Sequence, residues 1–173
     1  RIATVCRGFG AEVAMTRADH PTGTDRIAEV AAHLEADVVV NVQGDEPLIE
    51  GPVIDAAVER LARDPALPMA TLVHAAEPGA QDDPNRVKVV LDRNGRALYF
   101  SRSPLPFVRD VAPPQIWQHV GLYAYRRAFL LDRAVQQPDV PDRLSHLLGA
   151  HLDHAVVHPY ARERLAAGGL GLG

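Results

Sequence analysis

Two adjacent carboxylates, Asp45 and Glu46, come directly after an apolar, β-branched stretch of the sequence at residues 38–42. Such a run, bounded by turn residues, is typical of a buried parallel strand. Gly44 and Pro47 mark the point at which the chain leaves the sheet. In open α/β sheets, ligands bind beyond the carboxyl ends of the strands. The pair is therefore a candidate ligand-binding site; the alternative is that both are solvated loop acids.

A second set of polar residues lies in residues 16–26, just before an expected helix. Residues 22–24 (Thr-Gly-Thr) would open that helix, where backbone N–H groups are free to donate to a ligand. Arg17 and Arg26 carry permanent charges that suit a carboxylate or a phosphate. The alternatives are a plain helix cap for the threonines and surface charges for the two arginines.

Two further candidates, His119 and Tyr123, are four residues apart in a strand-like segment, so both side chains should face the same side of a sheet. Taken alone, a histidine on a strand is more often a surface residue or a satisfied core residue. Gln43 can both donate and accept hydrogen bonds. Arg102 is a weaker pocket candidate.

The elements that must position these residues alternate between strand and helix. Hydrophobic spacing, together with capping, Gly and Pro residues, predicts helices over residues 1–8, 25–33, 52–61 and 126–135. It predicts strands over residues 11–15, 37–42, 69–75 and 118–125. Asn94-Gly95 between two strand-like runs predicts a hairpin over residues 87–100. The alternation favours an α/β fold with a mostly parallel sheet, flanking helices and a β-hairpin lobe.

Composition limits the classes of protein to be considered. The chain has 173 residues, enough for one domain, and 47% of them are hydrophobic. A net charge of -4 and an aromatic content of 5% disfavour a nucleic-acid partner. A single cysteine, Cys6, allows no disulfide framework within the chain and fits a reducing compartment. No apolar run approaches the roughly 20 residues of a membrane span, so no membrane partner is expected.

The tail, residues 136–173, differs in character from the rest. It is rich in Ala, Arg, His, Gly and Pro, and His151, His154 and His158 have spacings that could share a helix face. A metal site there is one interpretation; a non-native or disordered segment is the other. We predict that residues 1–135 are the central part of a single domain and that the tail is divergent.

Several motifs carry a resemblance to a known family. The chain resembles the bacterial 3-deoxy-manno-octulosonate (KDO) cytidylyltransferases, or CMP-KDO synthetases, over about residues 1–135. The motifs occur in the family's order and spacing. They are Met-Thr-Arg-Ala-Asp-His-Pro-Thr-Gly-Thr-Asp-Arg (15–26), Val-Asn-Val-Gln-Gly-Asp-Glu-Pro (40–47), Asn-Arg-Val-Lys-Val-Val-Leu-Asp (85–92), Ala-Leu-Tyr-Phe-Ser-Arg (97–102) and His-Val-Gly-Leu-Tyr-Ala-Tyr-Arg (119–126).

The resemblance implies a Rossmann-like nucleotidyltransferase fold and transfer of CMP from CTP to KDO, with release of pyrophosphate, for lipopolysaccharide synthesis. It also implies Mg²⁺ as cofactor, a cytoplasmic location and a homodimer. Asp45 would be a catalytic metal ligand, since Mg²⁺ prefers one or two carboxylates with phosphate oxygens and water, and Glu46 would be structural. The implied substrate-binding residues are Arg17, Thr22, Gly23, Arg26 (also catalytic, on the sugar acid), Gln43, Arg102, His119 and Tyr123.

The sequence also departs from the family's pattern. The phosphate-binding loop that opens the family's sequences is not found, and the tail lacks the Pro-x-x-Leu-Glu and Val-Asp-Thr-Pro motifs. We therefore expect that this is a piece of a longer chain, that its tail comes from a shifted reading frame, and that it has little activity alone. The alternatives are a cytidylyltransferase for another sugar acid, such as neuraminate, and a catalytically dead remnant.

Overall fold

The computed structural model of the chain describes residues 1–44, 46–107, 109, 115–136 and 155–159. The helices are α1 (Ile2–Gly8), α2 (Gly23–Ala31), α3 (Gly51–Arg63) and α4 (Arg127–Gln136). The strands are β1 (Val38–Val42), β2 (Met69–Ala75), β3 (Lys88–Leu91), β4 (Ala97–Ser101), β5 (Trp117–Arg126) and β6 (Ala155–Pro159). Within these residues no helix is both long and apolar enough to cross a bilayer.

All six strands belong to one sheet, and β5 is its longest and most connected strand. One edge of β5 pairs with β2. The other edge pairs with β1 through residues 122–126 and with β3 through residues 117–118. The hairpin of β3 and β4 extends the sheet beyond β5, and β6 extends it beyond β2. A strand shared by so many neighbours can bring residues from distant parts of the chain together.

The predicted α/β fold is confirmed, with helices on a mixed sheet and the hairpin at its edge. The expectation of mostly parallel pairing is wrong for the described strands, where β2–β6 is the only parallel pair. β1, α3 and β2 do form the expected parallel crossover unit. However, β5 runs antiparallel in the gap between β1 and β2, because the chain reaches it through the hairpin and not through a helical crossover.

Helices cover both faces of the sheet. On one face, α3 buries Val53, Ala57 and Leu61 against apolar residues of β2 and β5. On the other face, α2 and α4 pack against each other and share a core with both strands of the hairpin and the opposite sides of β2 and β5. The side chains of that second face are Ala28, Ala31, Met69, Val73, Val89, Ala97, Phe100, Tyr125 and Leu130. Burying both faces explains why β2, buried at six of its seven residues, reads as one continuous apolar run.

Three predicted features differ from the structure. In the described backbone, residues 11–15 belong to no strand, and the helix predicted over 25–33 is Gly23–Ala31. β1 is half-buried and not fully buried, because β5 is its only partner among the described strands. The predicted helix over residues 1–8 is confirmed, with Gly10 at φ 87° just beyond its end, but it buries none of its residues.

Five residues of the tail, Ala155–Pro159, form β6 and pair in parallel with β2. His158 therefore lies in a strand, whereas His151 and His154 lie outside the described residues. The domain boundary at residue 135 and the non-native origin of the tail stay predictions.

Candidate functional site

The site is built around an irregularity in β5. Thr71 of β2 pairs with Tyr123 and Leu72 pairs with Val120, so Gly121 and Leu122 have no partner in β2. Four residues of a regular strand span about 13 Å, yet the rings of His119 and Tyr123 lie 5.2 Å apart, centroid to centroid. The irregularity and the lean of the two long side chains together close the gap. The prediction that these two residues share a face is confirmed.

The His119 ring is held on three sides. Its Nε2 lies 2.9 Å from the hydroxyl oxygen of Thr71, and the Phe100 ring meets it edge-on at 5.2 Å. Tyr123 borders the third side. The backbone N–H of His119 donates to the carbonyl of Val87 at 2.9 Å, which ties the strand to the hairpin. The orientation of the imidazole is therefore fixed by contacts from β2, β4 and β5.

Burial shifts the protonation equilibria of this face. It lowers the pKa of His119 from 6.5 to about 4, because a charged imidazolium would lose its hydration. It raises the pKa of Tyr123 to about 12. It also raises the pKa of Tyr125, which stacks on Tyr123 at 6.1 Å. At neutral pH the face therefore offers uncharged hydrogen-bonding groups.

Gln43 and Glu46 approach the same part of β5. A Cβ atom placed on Gly121 would lie 3.5 Å from Oε1 of Gln43 and 3.8 Å from Cγ of Glu46. The N–H of Glu46 donates to the carbonyl of Gln43 at 3.1 Å, so the two residues close a turn after β1. We call Gln43, Glu46, His119, Gly121 and Tyr123 the β5 cluster. Asp45, the residue on which the metal prediction rests, lies outside the described residues.

The Thr-Gly-Thr segment caps α2. The Thr22 hydroxyl accepts a hydrogen bond from the N–H of Asp25 at 3.1 Å and donates to its carboxylate at 2.6 Å. This is the helix cap that the sequence left as the alternative interpretation. Thr24 hydrogen-bonds Tyr125, which connects the start of α2 to the face of β5 that carries Tyr123 and His119.

The two arginines of this segment shape its loop. Nη1 of Arg26 donates to the carbonyl of Arg17 at 2.8 Å and to the hydroxyl of Thr16. Arg17 is exposed, and its Nε lies 3.5 Å from a carboxylate oxygen of Glu29. Glu29 also hydrogen-bonds the buried His20, and this contact is the main cause that holds the Glu29 pKa below its usual value. Among the contacts made by the described residues, none joins either arginine to His119 or Tyr123, so their substrate roles stay predictions.

Arg102 is also used structurally. Its Nη1 donates to the carbonyls of Pro84 and Asn85 at 3.0 and 3.3 Å. Its own carbonyl accepts a hydrogen bond from Lys88 at 2.6 Å. The structure therefore shows Arg102 holding the loop before β3, and its role in a ligand pocket stays a prediction.

Sequence reasoning missed Thr71, which contacts the imidazole directly. The signal was present but weak: Thr71 is a hydroxyl residue within the apolar run of β2. Threonine is frequent in strands because it is β-branched, so the residue type alone does not indicate a polar contact.

The described residues hold no preformed cluster of metal ligands. No group of three or more His, Cys, Asp or Glu side chains comes together within the part of the chain that the structure describes. The magnesium ligand assigned to Asp45 therefore stays a prediction.

Comparison with known proteins agrees with this architecture. A family model for cytidylyltransferases matches residues 1–155. The chain is 50% identical over 157 residues to a 3-deoxy-manno-octulosonate cytidylyltransferase of Syntrophotalea carbinolica, an alignment covering 85% of this chain and 63% of that protein. It is 39% identical to an Escherichia coli protein of the same name, covering 97% and 68%.

Among solved structures, the chain is similar to a CMP:2-keto-3-deoxy-manno-octonic acid synthetase complexed with CTP. The TM-score is 0.82 at 38% identity, over 93% of this chain and 68% of that one. The chain thus spans a little under two thirds of the length of the Syntrophotalea carbinolica relative.

Proposed function

Because the chain belongs to the cytidylyltransferase family that includes the 3-deoxy-manno-octulosonate enzymes, we propose that its protein transfers CMP from CTP to KDO and releases pyrophosphate. The observation that carries this proposal is the β5 cluster, where the His119 imidazole contacts the Tyr123 phenol and the Gln43 amide lies over Gly121, between them in sequence. The uncharged side chains of Gln43, His119 and Tyr123 supply donors and acceptors of the kind that a polyhydroxylated sugar requires. The product would supply lipopolysaccharide synthesis in the cytoplasm, and the working form would be a homodimer.

The sugar hydroxyls bind to the β5 cluster. The raised pKa of Tyr123, about 12, keeps its hydroxyl protonated, so this group can donate to a sugar oxygen at any physiological pH. The amide of Gln43 can donate and accept at once. Since His119 is neutral, the cluster carries no positive charge that would draw the anionic end of the substrate into it.

The anionic groups of the two substrates bind to arginines. Arg26 binds the carboxylate of the sugar acid, and Arg17 with the N–H groups at Thr22 and Gly23 binds near the nucleotide. Both guanidinium groups are exposed and keep donors beyond those used in the loop. Arg102 adds a further donor at the hairpin side of the pocket.

Asp45 would be the residue that holds Mg²⁺ when CTP binds. When bound, the ion supplies Lewis-acid stabilisation of charge on the reacting phosphate. The support is the sequence position of this carboxylate, two residues after Gln43 and next to Glu46, both of which lie over Gly121.

Binding of the sugar acid tests the proposal. KDO titrated into ¹⁵N-labelled protein with Mg²⁺ and CTP should shift the signals of His119 and Gly121, and neuraminate should shift them less. His119→Ala should weaken KDO binding, whereas His33→Ala, at an exposed histidine after α2, should not. Absence of any KDO-dependent shift, or tighter binding of neuraminate, would overturn the assignment. Formation of CMP-KDO from α-labelled CTP by the whole protein tests the transfer itself, because the 173-residue chain is expected to have little activity alone.

A further inference from the structure

Thr71 lies between two hydrogen-bond partners in the interior of the sheet. Its side chain is fully buried. Its Oγ1 lies 2.7 Å from the carbonyl oxygen of Leu122 and 2.9 Å from Nε2 of His119. Leu122 is one of the two residues of β5 without a partner in β2, so the hydroxyl takes the place of the missing backbone donor.

The direction in which the Thr71 hydroxyl donates its single proton determines which ring nitrogen of the neutral His119 carries a proton. A carbonyl oxygen can only accept a hydrogen bond, so the Thr71 proton points to Leu122. Nε2 of His119 must then donate to Thr71, and the proton of the neutral ring resides on Nε2. Nδ1, the other ring nitrogen, is left with a lone pair.

We propose that Thr71 is a positioning residue that fixes the tautomer of His119, so that Nδ1 accepts a hydrogen bond from a hydroxyl group of the sugar acid. The inference rests on the proposed function for the identity of the ligand. It adds to that function because it assigns the hydroxyl groups and the carboxylate of the substrate to different parts of the site. A bare acceptor binds a hydroxyl but repels a carboxylate, so the carboxylate must bind elsewhere, at an arginine.

Other contacts support the assignment. Burial keeps the ring neutral well below physiological pH, so protonation does not convert Nδ1 into a donor. Phe100 and Tyr123 border the ring and restrict its rotation. A purely structural threonine would need only the bond to Leu122; the second bond, to Nε2, links it to the β5 cluster.

The first experiment reads the tautomer without any ligand. Two-dimensional ¹H–¹⁵N spectra of the imidazole in the 173-residue chain at neutral pH should show a pyrrole-type Nε2 and a pyridine-type Nδ1 for His119. A wild-type protein with the proton on Nδ1 overturns the proposal, and this readout needs no variant. In Thr71→Val the preference for Nε2–H should be lost, whereas Thr71→Ser should keep it. A valine variant that folds and keeps pure Nε2–H also overturns the proposal.

The second experiment measures the consequence for the ligand. Thr71→Val should raise the dissociation constant for KDO about tenfold, the worth of one strong hydrogen bond, and Thr71→Ser should leave it within about twofold. KDO should shift the Nδ1 resonance of the wild type and leave Nε2 in place. Equal binding by the valine and serine variants would overturn the positioning role. If the wild type binds no KDO while showing the Nε2–H tautomer, it is the proposed function, and the substrate role derived from it, that fails.

Discussion

At the scale of the residue, Lys88 shows how one side chain can hold several loops. It is the only lysine of the chain and is fully buried. Its ammonium group donates to the carbonyls of Asp83, Arg86 and Arg102 at 2.9, 2.8 and 2.6 Å. All three protons are therefore used. Burial lowers the pKa of this ammonium, but the three carbonyl dipoles compensate for its lost hydration.

Replacing Lys88 by methionine should lower the free energy of unfolding by about 3 kcal/mol, because the apolar stem is kept but three carbonyls lose their charged donor. Denaturation in urea measures this change. Arg93→Met, at an exposed position of the hairpin turn, is the control and should change stability by less than about 0.5 kcal/mol. A methionine variant as stable as the control would show that the three bonds contribute little.

Gly121 makes a second residue-scale prediction. A Cβ there would be 3.5 Å from Oε1 of Gln43, an ordinary contact, so Gly121→Ala should leave KDO binding almost unchanged. In Gly121→Val the additional methyl groups would reach into the space of Gln43 and Glu46, and we expect a loss of more than about tenfold in KDO affinity. Calorimetric titration distinguishes the two, and equal affinities would mean that the Gln43 side chain moves away without cost.

At the scale of the element, two consecutive arginines join the helices to the sheet. Arg126 donates from Nε to the carbonyl of Leu67 at 2.9 Å and from Nη2 to the carbonyls of Leu61 and Asp64, at 2.7 and 3.3 Å, at the end of α3. Arg127 donates to the carbonyls of Ala31 and Ala32 at the end of α2, on the opposite face. Cations at helix C-termini satisfy unpaired carbonyls and complement the helix dipole.

Arg126→Leu should therefore lower the free energy of unfolding by about 2 kcal/mol and speed amide exchange in the last turn of α3. Arg63→Leu is the matched control on the same helix, since Arg63 forms an ion pair with the exposed Glu59 and with no other described residue. Its cost should stay below about 0.5 kcal/mol. Equal effects of the two substitutions would contradict the capping role.

The sequence predicts helices and strands well where hydrophobic periodicity agrees with the position of Gly, Pro and Asn residues at their ends. Pro52 after Gly51 with helical spacing through Leu61 located α3, and Asn94-Gly95 located the hairpin, with Gly95 at φ 79°. The strand predicted at residues 11–15 does not exist because alternation alone does not supply a partner strand. The direction of β5 could not be deduced either, because it depends on pairing with β1 and β2, which are far away in sequence.

At the scale of the whole molecule, the motifs predicted the residues of the candidate site more accurately than they predicted its spatial arrangement. His119 and Tyr123 meet as expected, and Gln43 lies over Gly121, between them in sequence, because β1 pairs with the second half of β5. The contact between Thr71 and His119 could not be predicted, because it depends on an irregularity in pairing across 48 residues of chain. Register shifts of this kind leave no periodic signal in the sequence.

The half-buried imidazole of His119 also makes the stability of the whole molecule depend on pH. The pKa of His119 is about 4 when folded and near 6.5 when unfolded, so between these values the unfolded chain binds a proton that the folded protein does not. Stability from this group is complete above pH 6.5 and is lost as the pH falls to 4, by up to about 3 kcal/mol. His119→Gln, which keeps a donor for Thr71, should remove this loss. Urea unfolding of both proteins from pH 7 to 4 measures the difference, and parallel curves would show that the ring is hydrated in the folded state.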